Sequence, residues 1–147
     1  MLDQIDITIG DPSQLIAQLK KHEGVRLKPY KCSAGKLTIG VGRNIEDIGI
    51  TDAESDFFLA NDINRVISEL RGVFASFDEM DDVRKSVLVD MCFNLGISRF
   101  LKFKNMLSAV RVSDWQTASE EMLDSKWAKQ VGVRATRLSQ MMLTGEV

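Results

Sequence analysis

The chain has a single histidine, His22, and two cysteines, Cys32 and Cys92. Two thiols make no disulfide framework, and one imidazole outside metal-motif spacing makes no zinc site. We therefore expect no metal and no cofactor. Charge of one sign is also scarce, with a net charge of -2. A dedicated nucleic-acid binder would carry a strong basic excess, so no nucleic-acid partner is expected. No stretch approaches the ~20 apolar residues that cross a bilayer, and stable membrane insertion is not expected. The first thirteen residues are acidic and polar and lack the charged-then-apolar layout of a signal peptide. The expectation is synthesis in a cytoplasm without an export signal. No internal repeat or low-complexity linker breaks the 147 residues, which fit one domain, 1–147, or two small lobes around a shared core.

Hydrophobic residues make up 44% of the chain, enough to bury a core. Asp11-Pro12-Ser13-Gln14 reads as a helix start, with Asp11 as cap, Pro12 at the first helical position and Gln14 completing a capping box. Leu15, Ile16 and Leu19 then recur at helical spacing, and Gly24 stops the helix just after Glu23. Between Val25 and Val41, strand-favouring Tyr30, Leu37, Thr38, Ile39 and Val41 surround a turn at Ser33–Lys36, predicting a small antiparallel hairpin or meander. Gly40 and Gly42 around Val41 suggest bending or close backbone packing.

From Thr51 onward the pattern is helical. Thr51-Asp52-Ala53-Glu54 is a capping box. It opens a long helix with Phe58, Ile63, Val66, Ile67 and Leu70 on its apolar face. A second run carries Val83, Val87, Leu88, Met91 and Leu95 and stops at Gly96. A third carries Phe100, Phe103, Met106, Leu107 and Val110. Ser113-Asp114-Trp115-Gln116 starts another, and a last short helix holds Arg134, Arg137, Leu138 and Met141. Cys92 lies in an apolar run and reads as a core thiol. The fold class is α+β: a helical lobe (11–24 and 51–147) plus a small sheet lobe at about 25–50.

The chemistry-bearing stretch runs from His22 to Asn44. Glu23 stands at a helix end, Thr38 on a strand fifteen residues later, and Cys32 at the hairpin between them. Taken singly these are ordinary residues: a solvated carboxylate, a hairpin thiol and a β-branched strand residue. A helix end that faces a sheet makes a cleft in which they can converge.

The spacing Glu, eight residues, Asp or Cys, five residues, Thr resembles the active-site stretch of the phage lysozymes of glycoside hydrolase family 24. Here it reads Glu23, Cys32, Thr38, within Glu-Gly-x-Arg-Leu-x-x-Tyr and Thr-Ile-Gly-x-Gly. Met91–Gly96 resembles the family's central core helix. Ser125–Gln130 with Arg134 and Arg137 resembles its C-terminal segment. The resemblance covers about His22 to Gly145, with a shorter stretch between Arg43 and Thr51 and a shorter C-terminal end than in the family's best-known member. It implies a lysozyme-like fold with a cleft between the lobes. It also implies a monomeric endolysin that cuts the glycan strands of peptidoglycan between N-acetylmuramic acid and N-acetylglucosamine. Release from the host cytoplasm would go through a holin-type pore.

The resemblance also assigns roles. Glu23 would be the proton donor to the leaving glycosidic oxygen. Cys32, in the place of an Asp, would help activate water, with Lys31 or Lys36 available to lower its thiol pKa from near ~8.5. Inverting chemistry needs roughly 6.5–9.5 Å between the two groups for that water. Thr38 would position it. Arg134 would pair with Glu23 and hold it. Arg43 would join that network or contact the saccharide. Asn94 and Gln130 would meet substrate or order the cleft, while Trp127 and Phe93 are expected in the core. Two other readings stay open at this point: a lytic transglycosylase on the same substrate, and a non-catalytic peptidoglycan-binding module suggested only by the missing Asp.

Overall fold

A proline cannot donate a backbone hydrogen bond, so the chain enters its first helix by another route. In the computed structural model, which describes residues 4–147, Pro12 occupies the cap of α1 (Ser13–Glu23). Asp11 Oδ1, one residue further out, accepts from the Ser13 amide at 3.0 Å. The expected start is displaced by one residue because proline takes the cap itself. The N-terminal stretch read above includes Met1–Asp3, which lie outside the described residues. Gly24, at φ 75°, ends α1 with its N–H on the Lys20 carbonyl.

The chain divides into two compact units, the first ending at Ser55 and the second running from Asp56 to Val147. After α1, the first unit holds an antiparallel sheet in the order β1 (Arg26–Lys31), β2 (Leu37–Gly40), β3 (Arg43–Asn44). Tyr30 pairs with Thr38, and Thr38 with Asn44, so Thr38 sits on the central strand. The turn falls where Gly35 at φ 75° can take it. Short elements of this unit went unread in the sequence, β3 and α2 among them. β3 has only two residues, and α2 (Ile45–Ile48) is a single turn capped by Asn44, too short to show a period.

Among the described residues of this unit only Pro12 and Thr38 are buried. Leu15 and Leu19, which recur at helical spacing, are 37% and 44% exposed. A unit of this size has little interior to offer them.

The long α3 (Asp52–Val73) starts with the expected capping box: Thr51 Oγ1 accepts from the Glu54 amide, and Glu54 Oε2 accepts from the Thr51 amide at 2.8 Å. Only its C-terminal half reaches the core, through Val66 and Leu70, while Phe58 stays half exposed. The second unit continues with α4 (Asp82–Leu95), α5 (Ile97–Phe100), α6 (Lys104–Arg111), α7 (Trp115–Leu123), α8 (Lys126–Val131) and α9 (Val133–Thr144). The run read as one helix from Phe100 to Val110 is thus two, and Gly132 at φ 56° separates α8 from α9. α7 packs on both α6 and α9, and α9 also meets α4 and α8. Leu88, Met91, Phe100, Met106, Met122 and Met142 are fully enclosed. Cys92 joins them as expected, and burial pushes its thiol up to about 11.

Arg84 ties this unit together. From α4 it donates to the last carbonyls of α9, Met142 at 2.7 Å and Leu143 at 2.8 Å, and its guanidinium stacks 4.3 Å above the Trp115 ring. These carbonyls have no partner within their own helix, so a cation there both caps and offsets the helix dipole. We expect Arg84→Met to lower unfolding free energy by about 2 kcal/mol, the scale of a lost charged hydrogen bond. Urea denaturation of both proteins measures it; equal midpoints would show that water replaces the cap at no cost.

Candidate active site

Glu23 is the last residue of α1, and its side chain is exposed. Its carboxylate lies against the backbone of Gly42, in the turn joining β2 to β3. A Cβ at position 42 would stand 2.7 Å from Glu23 Oε2 and 3.0 Å from its Cδ, and the φ of +68° also disfavours a side chain. The close approach suspected from Gly42 therefore has a definite partner, the Glu23 carboxylate.

Cys32 opens the turn between β1 and β2, its N–H on the Lys36 carbonyl at 3.0 Å and its own carbonyl receiving the Gly35 amide at 2.8 Å. The thiol is half-buried. The Lys36 backbone amide holds its pKa below the ordinary value, followed by the Thr38 hydroxyl and the Ala34 amide. Of the two cations suggested from sequence, Lys36 is engaged by Glu46 Oε2 and Asp47 Oδ1, each at 3.1 Å, and Lys31 lies 3.9 Å from Glu46 Oε1. With both carboxylates on the Lys36 ammonium, the turn amides and the Thr38 hydroxyl are the main causes of the lowered thiol pKa.

Thr38 is 2% exposed. Its hydroxyl donates to the Lys36 carbonyl at 2.9 Å. One hydroxyl has one proton, so with that proton on the carbonyl, the oxygen faces the Cys32 sulfur through its lone pairs; donation to the sulfur requires the hydroxyl to rotate. Cys32 and Thr38 thus share one turn, bound through Lys36.

Arg43 stands beside Gly42 and is held by Glu54. Its Nη1 and Nη2 each lie 2.6 Å from a different Glu54 oxygen, a two-pronged pair. Glu54 had been legible only as a capping residue. Pairing with Arg43, together with the Thr51 amide, brings its carboxyl down to about 2.

The remaining candidates belong to the second unit. Arg134 donates through Nε to Asp90 Oδ1 at 2.8 Å, with Nη2 at 2.7 Å from the same oxygen. Asp90 carried no signal in the sequence, because nothing local marks an aspartate on α4 as the partner of an arginine 44 residues away. Asn94 Oδ1 accepts from the Trp127 indole at 2.8 Å, fastening α4 to α8. Trp127 is buried as expected. Phe93 is not: it is 43% exposed and lines a cavity of about 540 Å3 with Ile63, Ile67, Val89, Asp90 and Arg134. Its ring falls on the side of α4 turned from Met91 and Cys92, which the core takes. Gln130 is exposed on α8. Among the described residues no cluster of His, Cys, Asp and Glu is arranged to hold a metal ion.

Residues 20–141 match the family described as phage lysozyme. The Dictyostelium discoideum protein named "Probable T4-type lysozyme 1" is 26% identical, over 90% of this chain and 95% of that one. An endolysin of Acyrthosiphon pisum secondary endosymbiont phage 1 is 32% identical, over 76% of this chain and 75% of its own. The pre-baseplate central spike protein Gp5 of Enterobacteria phage T4 is 27% identical over 95% of this chain, which spans only 29% of that longer protein.

The Arg43–Glu54 pair has a consequence for acid stability. Folding lowers the Glu54 carboxyl from 4.5 to about 2, so its contribution is present above the unfolded value and is lost as pH falls through that window. The gap in Tm between wild type and Glu54→Gln should be widest near neutrality and close between 4.5 and about 2. Thermal scans across a pH series measure it; a gap that stays constant would mean the pair does not stabilise the fold.

Proposed function

We propose, since the chain belongs to the phage lysozyme family, that it hydrolyses the β-1,4 bond between N-acetylmuramic acid and N-acetylglucosamine in peptidoglycan. It is a lysozyme, an enzyme lytic toward peptidoglycan. The observation that carries the finer reading is the family match over residues 20–141, which takes in Glu23, Cys32 and Thr38 at unbroken spacing.

The chemistry follows from those groups. Protonated Glu23 gives its proton to the glycosidic oxygen as the bond from that oxygen to the muramic acid C1 breaks. A water attacks C1 from the opposite face and loses a proton to the Cys32 thiolate, so configuration inverts. The lowered thiol pKa supports this role, because a larger thiolate fraction exists at neutral pH. Thr38 acts beside it, its oxygen free to accept from the water while its proton remains on the Lys36 carbonyl. Transfer of the Glu23 proton is completed by return of the proton held on Cys32 through solvent, which resets both groups.

Arg134 is proposed to act on the same carboxylate, with Asp90 fixing its guanidinium. Arg43, Asn94 and Gln130 are proposed to support or contact the glycan. The rest of the proposal is a monomer without a nucleic-acid partner, made in the host cytoplasm and reaching the wall through a holin-type pore. No described helix is long and apolar enough to cross a membrane, which fits a need for such a pore.

Glu23→Gln should fold like wild type and lose at least about 100-fold in lysis, the scale of a removed general acid. A zymogram beside circular dichroism tests it, and near wild-type clearing would remove Glu23 from its role. Mass spectrometry of the released muropeptides should show reducing ends; anhydro ends would instead make the enzyme a lytic transglycosylase.

The thiol has its own test. Cys32→Ser should lose most activity, because a hydroxyl is far harder to deprotonate, whereas Cys32→Asp should retain much of it. A thiol-blocking reagent should inactivate wild type and spare the Asp variant. Full activity of Cys32→Ser would make the thiol a spectator.

A further inference from the structure

β3 is two residues long and hangs on the edge of the sheet. Its register with β2 is Thr38 to Asn44 and Ile39 to Arg43. So short a strand pins its own turn weakly, yet that turn contains Gly42, whose backbone abuts the Glu23 carboxylate. Both Gly40 and Gly42 are at positive φ, at 69° and 68°, conformations that glycine leaves as easily as it enters. Something outside the strand must fix the turn if the carboxylate is to have a constant place.

Arg43, the residue after Gly42, supplies the attachment. Its guanidinium is gripped at both nitrogens by Glu54. Glu54 is itself immobilised, since Oε2 accepts from the Thr51 amide at 2.8 Å and its own amide donates to Thr51 Oγ1. The carboxylate thus belongs at once to the start of α3 and to the edge strand. We infer that Glu54 is a positioning residue for Glu23, acting through Arg43 to hold the Gly42 turn against the catalytic carboxylate. The inference rests on the muramidase reading for its catalytic meaning, though not for its geometry.

The test uses the full chain labelled with 13C at glutamate carboxyls, with the Glu23 signal identified by its loss in Glu23→Gln. Glu54→Gln keeps an acceptor for the Thr51 amide and removes the charge that grips Arg43. The Glu23 resonance should move in Glu54→Gln, and equally in Arg43→Gln, which breaks the pair from the other side. It should stay put in Glu79→Gln, an exposed carboxylate of the second unit. On peptidoglycan, Glu54→Gln should lower kcat roughly ten- to hundredfold, the effect of a displacement near 1 Å, with a smaller change in KM, because placement of the Glu23 proton bears on the transition state.

Gly42→Ala should displace the carboxylate directly, and adding Glu54→Gln to it should cost little more, since both act through one contact. An unmoved Glu23 resonance with unchanged kcat in Glu54→Gln overturns the inference. So do multiplicative losses in the double variant, which would show that Glu54 acts elsewhere. If wild type releases no muropeptides the muramidase reading falls, while the resonance in Glu54→Gln and Arg43→Gln still decides whether Glu54 positions Glu23.

Discussion

The carboxylate of Glu23 fills the volume that a side chain at position 42 would need. This steric exclusion links the end of α1 to the turn between β2 and β3, two places that share no hydrogen-bonded ladder. The glycine is required twice, once for space and once for its positive φ. Around this contact the first unit arranges its polar groups. Arg43 follows Gly42 and leads to Glu54 and the start of α3. Thr38 lies one strand across and leads through Lys36 to Cys32. The three residues proposed for catalysis, Glu23, Cys32 and Thr38, therefore rest on a frame built mostly from backbone amides and ion pairs.

Cys32 illustrates how such a frame can favour a thiolate chiefly through hydrogen-bond donors of the turn. Lys36 is adjacent in space, but Glu46 and Asp47 neutralise its ammonium. The thiolate is favoured instead by amide dipoles of the turn, which are fixed by the hairpin and need no reorganisation when charge develops. A carboxylate in the same turn would meet the same donors. That is a physical reason why one position can carry either an Asp or a Cys.

Much of this was legible in the sequence, for reasons that differ between elements. The Thr51–Glu54 box and Asp114 mark helix starts because capping is a short-range event between residues three apart. The hairpin was visible from strand-favouring residues around Ser33–Lys36. The helix α8 went unread, because its six residues are too few to show a period, whereas the short helix around Arg134 to Met141 was read as a separate element. Phe93 was misplaced because an apolar residue in a buried helix is taken for core, whereas α4 buries Met91 and Cys92 and leaves the Phe93 side open. The partners of the arginines were illegible for a deeper reason. Any of the chain's acidic residues suits an arginine, and the choice of Glu54 for Arg43 and of Asp90 for Arg134 is made by the fold.

The first unit buries so little that its order depends on contacts water can compete with. Its ion pairs, Lys36 with Glu46 and Asp47 and Arg43 with Glu54, are all partly exposed, and salt screens such pairs over about 8 Å at physiological strength. The second unit closes a core around Phe74, Phe100, Met91, Met106, Met122 and Met142, each at most 1% exposed. The molecule therefore carries a gradient of local stability along its sequence. Amide protons of the sheet should exchange with solvent through small openings, while those of α4 and α9 wait for global unfolding. The groups proposed for bond cleavage lie at the soft end of that gradient, where ionic strength tunes the frame that carries them.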